Sequence, residues 1–240
     1  MSSNMTLEEI QQRSYVPYSG QPEYLIVQGE SGKYYPGIRI ENISFPLTIP
    51  ATLCGIVNCL SEGDQPDTLY VTGSQLSEPK FNYWIKELAL NTKKLSEYTG
   101  EVSTPWYPAT NIVSQLKELL PRAMTPHSDF PVAALLKTDR GMISGVNIEF
   151  STWESGLCAE RTAIAKALSY GVDQSEIKAM HLHTKHGDYS SPCGACRQVI
   201  IEHMPKIPIF LYHPDGSVSR HFSSDLLPYS FTSDFLKRNS

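Results

Sequence analysis

Apolar positions in the second half of the chain fall into short runs and one longer periodic stretch, and these predict the elements. Phe130 to Leu136 and Ile143 to Ile148 are apolar runs of strand length on either side of Asp139-Arg140-Gly141, the pattern of a β-hairpin. From Cys158 to Tyr170 there is no Pro or Gly, and Leu157, Ile164 and Leu168 recur at spacings of seven and four, which predicts an amphipathic helix ended by Gly171. Ile177 to Thr184 reads as a strand, Cys196 to Met204 as a helix with Val199, Ile200 and Met204 on one face, and Ile207 to His213 as a further strand. Helices alternating with strands predict an α/β layered domain, in which sites gather where helix N-termini meet strand ends.

The same pattern occurs earlier in the chain. Tyr34 to Gly63 aligns without a gap on Met142 to Gly171, and Gly37/Gly145, Glu41/Glu149, Leu60/Leu168 and Gly63/Gly171 share one offset of 108 residues. Leu119-Leu120-Pro121 recurs as Leu226-Leu227-Pro228 at an offset of 107. A register held over some 30 residues predicts a tandem duplication. The second anchor puts the boundary near Met124, giving domains over 1–124 and 125–240.

Composition narrows the function. The 240 residues are 40% hydrophobic and 19% charged, an ordinary globular balance with room for two small domains. A net charge of −5, with basic residues clustered no further than pairs such as Lys93-Lys94, leaves no footprint for a polyanion, so nucleic acid is not the expected partner. Met1 to Ser14 is polar, with Glu8 and Glu9, and does not read as a secretory signal. The strongest apolar runs, such as Phe130 to Leu136, fall short of the roughly 20 residues that span a bilayer. The expectation is a cytoplasmic protein without a membrane partner. Five cysteines, an odd number, argue against a disulfide framework and turn attention to metal or catalysis.

Three of those cysteines fall in two segments, Cys158-Ala159-Glu160-Arg161 and Pro192-Cys193-Gly194-Ala195-Cys196-Arg197-Gln198, each at the start of an expected helix. A catalytic zinc takes three protein ligands and keeps a fourth position open, so Cys158, Cys193 and Cys196 suit one catalytic Zn2+ per chain, in the C-terminal domain. Three thiolates overcompensate the ion's charge. The positive ends of two helices offset the excess, and Arg161 and Arg197, each beside a ligand, are placed to donate to sulfur. A closed structural site would need a fourth ligand, for which His181 and His183, facing one side of their strand, are the candidates. It would leave Glu160 beside the metal with no role. Glu160, two residues past a ligand, is the expected catalytic proton carrier.

These segments resemble the cytidine deaminase family and the general signature of zinc deaminases. Phe130-Pro131-Val132 with Ala133-Ala134-Leu135-Leu136 is similar to that family's opening strand, Gly145-Val146-Asn147-Ile148-Glu149 to its ribose segment, and Leu226-Leu227-Pro228 with Phe231 to its closing segment. The resemblance covers roughly Thr125 to Phe231, and the first copy more faintly. It implies a three-layer α/β fold duplicated in tandem. It also implies hydrolytic deamination of cytidine: water activated at the metal adds at C4, and Glu160 passes a proton to N3 and then to the departing ammonia. By resemblance, Asn147 and Glu149 hydrogen-bond the ribose, Phe130 packs on the nucleoside and the backbone at Ala159 meets the base. The sequence departs from the family where it lacks a glycine after Val132, in a hairpin one residue shorter, and at Phe150, where Asn is common. Single-domain members resemble tetramers, so a fused pair is expected to assemble as a homodimer.

The first copy has lost the chemistry. Pro50 aligns with Cys158, Thr52 with Glu160, and Ser77 to Trp84 contains no cysteine; Arg39 replaces the partner of Glu41, and Cys54 and Cys59 read as core. Two rival readings remain: a deaminase of another amino-pyrimidine or nucleoside-like compound, and a nucleoside-binding protein without turnover. A polynucleotide deaminase would call for a basic groove with stacking aromatics.

Overall fold

Each half opens with a short helix followed by an antiparallel hairpin. In the computed structural model, which describes residues 5–78 and 80–232, the first half comprises α1 (Leu7–Gln12), β1 (Tyr24–Gly29), β2 (Tyr34–Ile38), α2 (Ala51–Leu60), β3 (Pro66–Val71), α3 (Gly73–Leu76), α4 (Phe81–Glu87) and β4 (Asn91–Lys94). The second comprises α5 (Ile112–Leu119), β5 (Val132–Thr138), β6 (Gly141–Val146), α6 (Ala159–Ser169), β7 (Ile177–Thr184), α7 (Gly194–His203), β8 (Pro208–Tyr212), β9 (Val218–Phe222) and α8 (Ser223–Leu226). The sheets run β2-β1-β3-β4 and β6-β5-β7-β8-β9. In each, two antiparallel pairings are followed by a parallel one, β3 to β4 and β7 to β8, so the two mixed α/β halves fit a duplication.

The expected elements form within a few residues. Cys158 is the N-cap of α6 and Tyr170 its C-cap, and Gly171 follows at φ 70°, the left-handed position that favours glycine. β9 was not anticipated. It is an edge strand in which half-buried and exposed positions alternate, without the strong apolar run that marked its neighbours.

Two expectations need correction. α5 lies against β5, β6 and β7, so the stretch before Met124 packs with the second half. Its counterpart is α1: Pro17 and Ser19 recur as Pro126 and Ser128 at an offset of 109, and the amides of Tyr18 and Ser19 donate to Glu41 as those of His127 and Ser128 donate to Glu149. The match of the two Leu-Leu-Pro segments is therefore coincidental, one preceding β5 and the other following β9. The second correction is that α6 is not amphipathic in effect: Glu160, Thr162, Lys166 and Ser169 are all buried, Lys166 and Ser169 against residues at the end of α2 and Glu160 beside the cavity thiols.

Alternation across the second sheet sets its layers. Ala134 pairs with Gly145 and Leu182, and a Cβ on Gly145 would lie 2.4 Å from the Ala159 carbonyl oxygen, so this face carries α6. Leu135 pairs with His181, whose side chain, like that of His183, faces the side on which α5 packs. Helices thus cover both faces. In the first half Gly37 meets α2 equally closely, 2.3 Å from the Ala51 carbonyl oxygen.

Candidate active site

The site forms where α6 and α7 point their N-termini past the ends of β6 and β7. Cys158 and Cys193 are the N-caps of these helices and Cys196 sits in the first turn of α7. The sulfurs of Cys158 and Cys193 are 3.8 Å apart, those of Cys193 and Cys196 3.5 Å, and all three lie within 4.8 Å of one another. Tetrahedral zinc with sulfur at about 2.3 Å requires sulfur separations of roughly 3.8 Å, so the three thiols fit the ion. They are the one such group found among the described residues. The Cys196 amide points at the Cys193 sulfur, 3.5 Å away. Hydrogen bonds from the other two thiols, reinforced by amides at the start of α7, hold the Cys193 thiol far below its usual range.

Glu160 lies in the first turn of α6, 3% exposed, and burial pushes its carboxyl up to about 7. It lines a cavity of about 420 Å³ together with Cys158, Cys193, Phe130, Asn147, Glu149 and Ala159. That volume suits a nucleoside-sized ligand. Every residue expected to touch metal or substrate borders this cavity except Cys196, which is buried behind it.

The two polar residues of the ribose segment already have partners. The Asn147 side chain accepts from the Val132 amide at 2.8 Å and donates to the Phe130 carbonyl at 3.0 Å. Glu149 accepts from the amides of His127 and Ser128 at 3.0 and 3.2 Å and from the Ser128 hydroxyl. Both residues fix the segment that carries Phe130, and each keeps hydrogen-bonding capacity towards the cavity, one amide hydrogen on Asn147 and a lone pair on Glu149.

The two arginines do not reach sulfur. Arg197 donates to the Pro192 carbonyl, the Ser191 hydroxyl and the Leu226 carbonyl, which braces the loop before Cys193. Arg161 donates to the Leu47 carbonyl, in the turn before α2 of the first half, so its side chain reaches across the interface. Their expected donation to the thiolates is absent here. His181 and His183 are also apart from the cysteines. His183 bonds the Tyr212 carbonyl at 2.9 Å, and His181 stacks on Phe210 at 5.0 Å.

Trp153, Ser128, Thr184 and Ser191 line the cavity and were not anticipated. Trp153 had a signal, since it stands 108 residues after Phe45 and both side chains are exposed, at 66% and 84%. Ser128 had one in the Pro17-to-Ser19 repeat.

The first half lacks this arrangement. Pro50 caps α2 where Cys158 caps α6, and the Thr52 hydroxyl donates to Glu78 at 2.8 Å. Arg39 pairs with Glu41 at 3.1 Å and with Glu23 at 3.4 Å. Cys54 and Cys59 are fully buried, and burial pushes the Cys54 thiol up to about 12.

A layered α/β fold that clusters three thiols beside a buried carboxyl at the wall of one cavity is that of the metal-dependent deaminase class. Residues 109–211 match the family described as the cytidine and deoxycytidylate deaminase zinc-binding region. The chain is 39% identical over 127 residues to a cytidine deaminase from Sporosarcina psychrophila, covering 52% of this chain and 92% of that protein. It is 36% identical over 121 residues to one from Mycoplasma genitalium, covering 50% and 92%. A solved cytidine deaminase from Burkholderia pseudomallei is 34% identical over 52% of this chain and all of that one, with a TM-score of 0.49. The chain belongs to the cytidine deaminase family.

Proposed function

We propose that the protein hydrolyses the exocyclic amine of cytidine, and of deoxycytidine, to give uridine or deoxyuridine and ammonia in pyrimidine salvage. The observation that carries this reading is one cavity containing Cys158, Cys193, Glu160, Asn147 and Glu149, with Cys196 directly behind it. Cys158, Cys193 and Cys196 would hold a single zinc, which when bound supplies Lewis-acid activation of water for attack at C4. Glu160 would take one proton from the attacking water and deliver it to N3, then take the remaining proton of the new C4 hydroxyl and deliver it to the departing amine as the C4–N bond breaks, so one carboxyl would serve both halves of the reaction. The amide of Ala159, Phe130 and the remaining polar capacity of Asn147 and Glu149 orient base and sugar.

The first half is read as catalytically inert, supported by Pro50 and Thr52 at the metal and acid positions. The packing of α5 favours a boundary shortly before Ile112. Exposed Phe45 and Trp153 at equivalent positions favour assembly with a second copy, as a homodimer of two-domain chains. Five free cysteines suit the reducing cytoplasm. Among the described residues no helix is long and apolar enough to cross a membrane.

The test is ammonia release and the ultraviolet change when zinc-assayed protein meets cytidine, deoxycytidine, cytosine, adenosine and a cytosine-bearing oligonucleotide. Turnover of the free cytosine nucleosides with one zinc per chain is expected. Silence on every nucleoside with zinc bound would overturn the enzymatic reading in favour of a binding protein.

A further inference from the structure

The segment from Glu149 to Ser155 carries two cavity residues, Glu149 and Trp153, and its middle is held by the other half of the molecule. The Ser151 amide and hydroxyl both donate to the Glu87 carboxylate, at 2.7 and 2.5 Å. The Thr152 amide donates to the Tyr83 hydroxyl at 3.3 Å, which also lies 3.4 Å from the Ser151 hydroxyl. Next to them the Trp84 ring stands edge-on to Phe150 at 4.9 Å, both almost fully buried. All three partners, Tyr83, Trp84 and Glu87, are on α4 of the half that lacks the metal ligands and the acid.

A carboxylate that accepts from a backbone amide and the hydroxyl of the same residue fixes both position and rotation, and the aromatic contact one residue earlier sets depth. Trp153 is left exposed over the cavity while its backbone is clamped two residues upstream. We propose that α4 positions the substrate-binding loop, with Tyr83, Trp84 and Glu87 acting as positioning residues for nucleoside binding through Glu149 and Trp153. This deepens the proposed function and rests on it. The inert half then forms part of the working site rather than a scaffold at a distance.

Glu87 is only half-buried, so Glu87→Ala leaves the fold intact and removes the clamp. In that variant the KM for cytidine should rise on the order of tenfold, with kcat and zinc content unchanged. Glu87→Gln, which keeps an acceptor for the Ser151 amide, should restore most of the affinity, and Tyr83→Phe should raise KM by roughly two- to threefold. An unchanged KM in Glu87→Ala, or a fall in kcat and zinc content at constant KM, overturns the proposal. Hydrogen exchange over residues 150–155 reads the clamp without substrate: faster exchange is expected in Glu87→Ala, and unchanged protection also overturns the proposal. A wild type that turns over no nucleoside overturns the reading of function instead, and the clamp then stands or falls on exchange alone.

Discussion

Glu160 and Thr52 occupy the same place on equivalent helices, and under the proposed function the difference between them is what leaves the first half without a proton carrier. Thr52 donates to Glu78, while Glu160 faces a cavity beside thiols. Glu160→Gln preserves volume and can still hydrogen-bond, but it cannot exchange a proton. Turnover should fall by about 10²–10⁴ with zinc content and thermal midpoint retained; measurable activity near wild type would remove Glu160 from its role. The convergence of the three thiols and the Glu160 carboxyl was legible because all four sit at helix starts with local spacing. Asn147 and Glu149 were legible as cavity residues, but their bonds to Val132, Phe130, His127 and Ser128 were not, since those partners come from a segment whose path is set by the sheet.

At the scale of elements, the approach of helix to hairpin decides where the ligands stand. A Cβ on Gly145 would meet the Ala159 carbonyl oxygen and the Ala163 amide nitrogen, both at 2.4 Å, so Gly145→Ala must push α6 outward, carrying Cys158 and Glu160. The expected cost is roughly 1–3 kcal/mol, read as a lower urea midpoint, together with weaker zinc retention. Gly194→Ala, at a position where a Cβ meets nothing within 4 Å, is the matched control and should leave both unchanged. Gly37 and Gly145 marked only a shared register in the sequence; that each admits a helix backbone is seen only in the structure. α5 and β9 were harder to read: α5 resembled the end of one domain because of a chance Leu-Leu-Pro match, and β9 has too few apolar positions to stand out.

Across the whole molecule, α2 and α6 bury polar groups against each other. Asn58 donates to the Ser169 hydroxyl at 2.9 Å, and the fully buried Lys166 pairs with Glu62, whose carboxyl this lysine holds below its usual range in spite of burial. His203 lies at the same junction, its ring edge-on to Tyr15 of the first half at 4.7 Å. Burial lowers its pKa to about 4. The folded state therefore keeps His203 neutral while the unfolded chain binds a proton below about pH 6.5, so its contribution to stability is present above that value and is lost as pH falls towards 4. Between about pH 6.5 and about pH 5, His203 alone should reduce unfolding free energy by about 2 kcal/mol. Urea midpoints across that range test this, and His203→Phe should flatten the slope.

The sequence by itself determined the α/β class, a repeat register that the two sheet-containing halves fit, the clustering of three thiols and a carboxyl in the second half, and the absence of all four from the matching positions of the first. Each of these follows from residue type, periodicity and register along the chain. Only the tertiary structure decided that α5 belongs with the second half, that the polar face of α6 is buried, that Arg161 and Arg197 brace backbone rather than sulfur, and that α4 grips the loop beside the cavity. Those outcomes depend on which surfaces meet when the elements pack; the Ser151–Glu87 and Arg161–Leu47 contacts, 64 and 114 residues apart in the chain, leave no periodic trace along it.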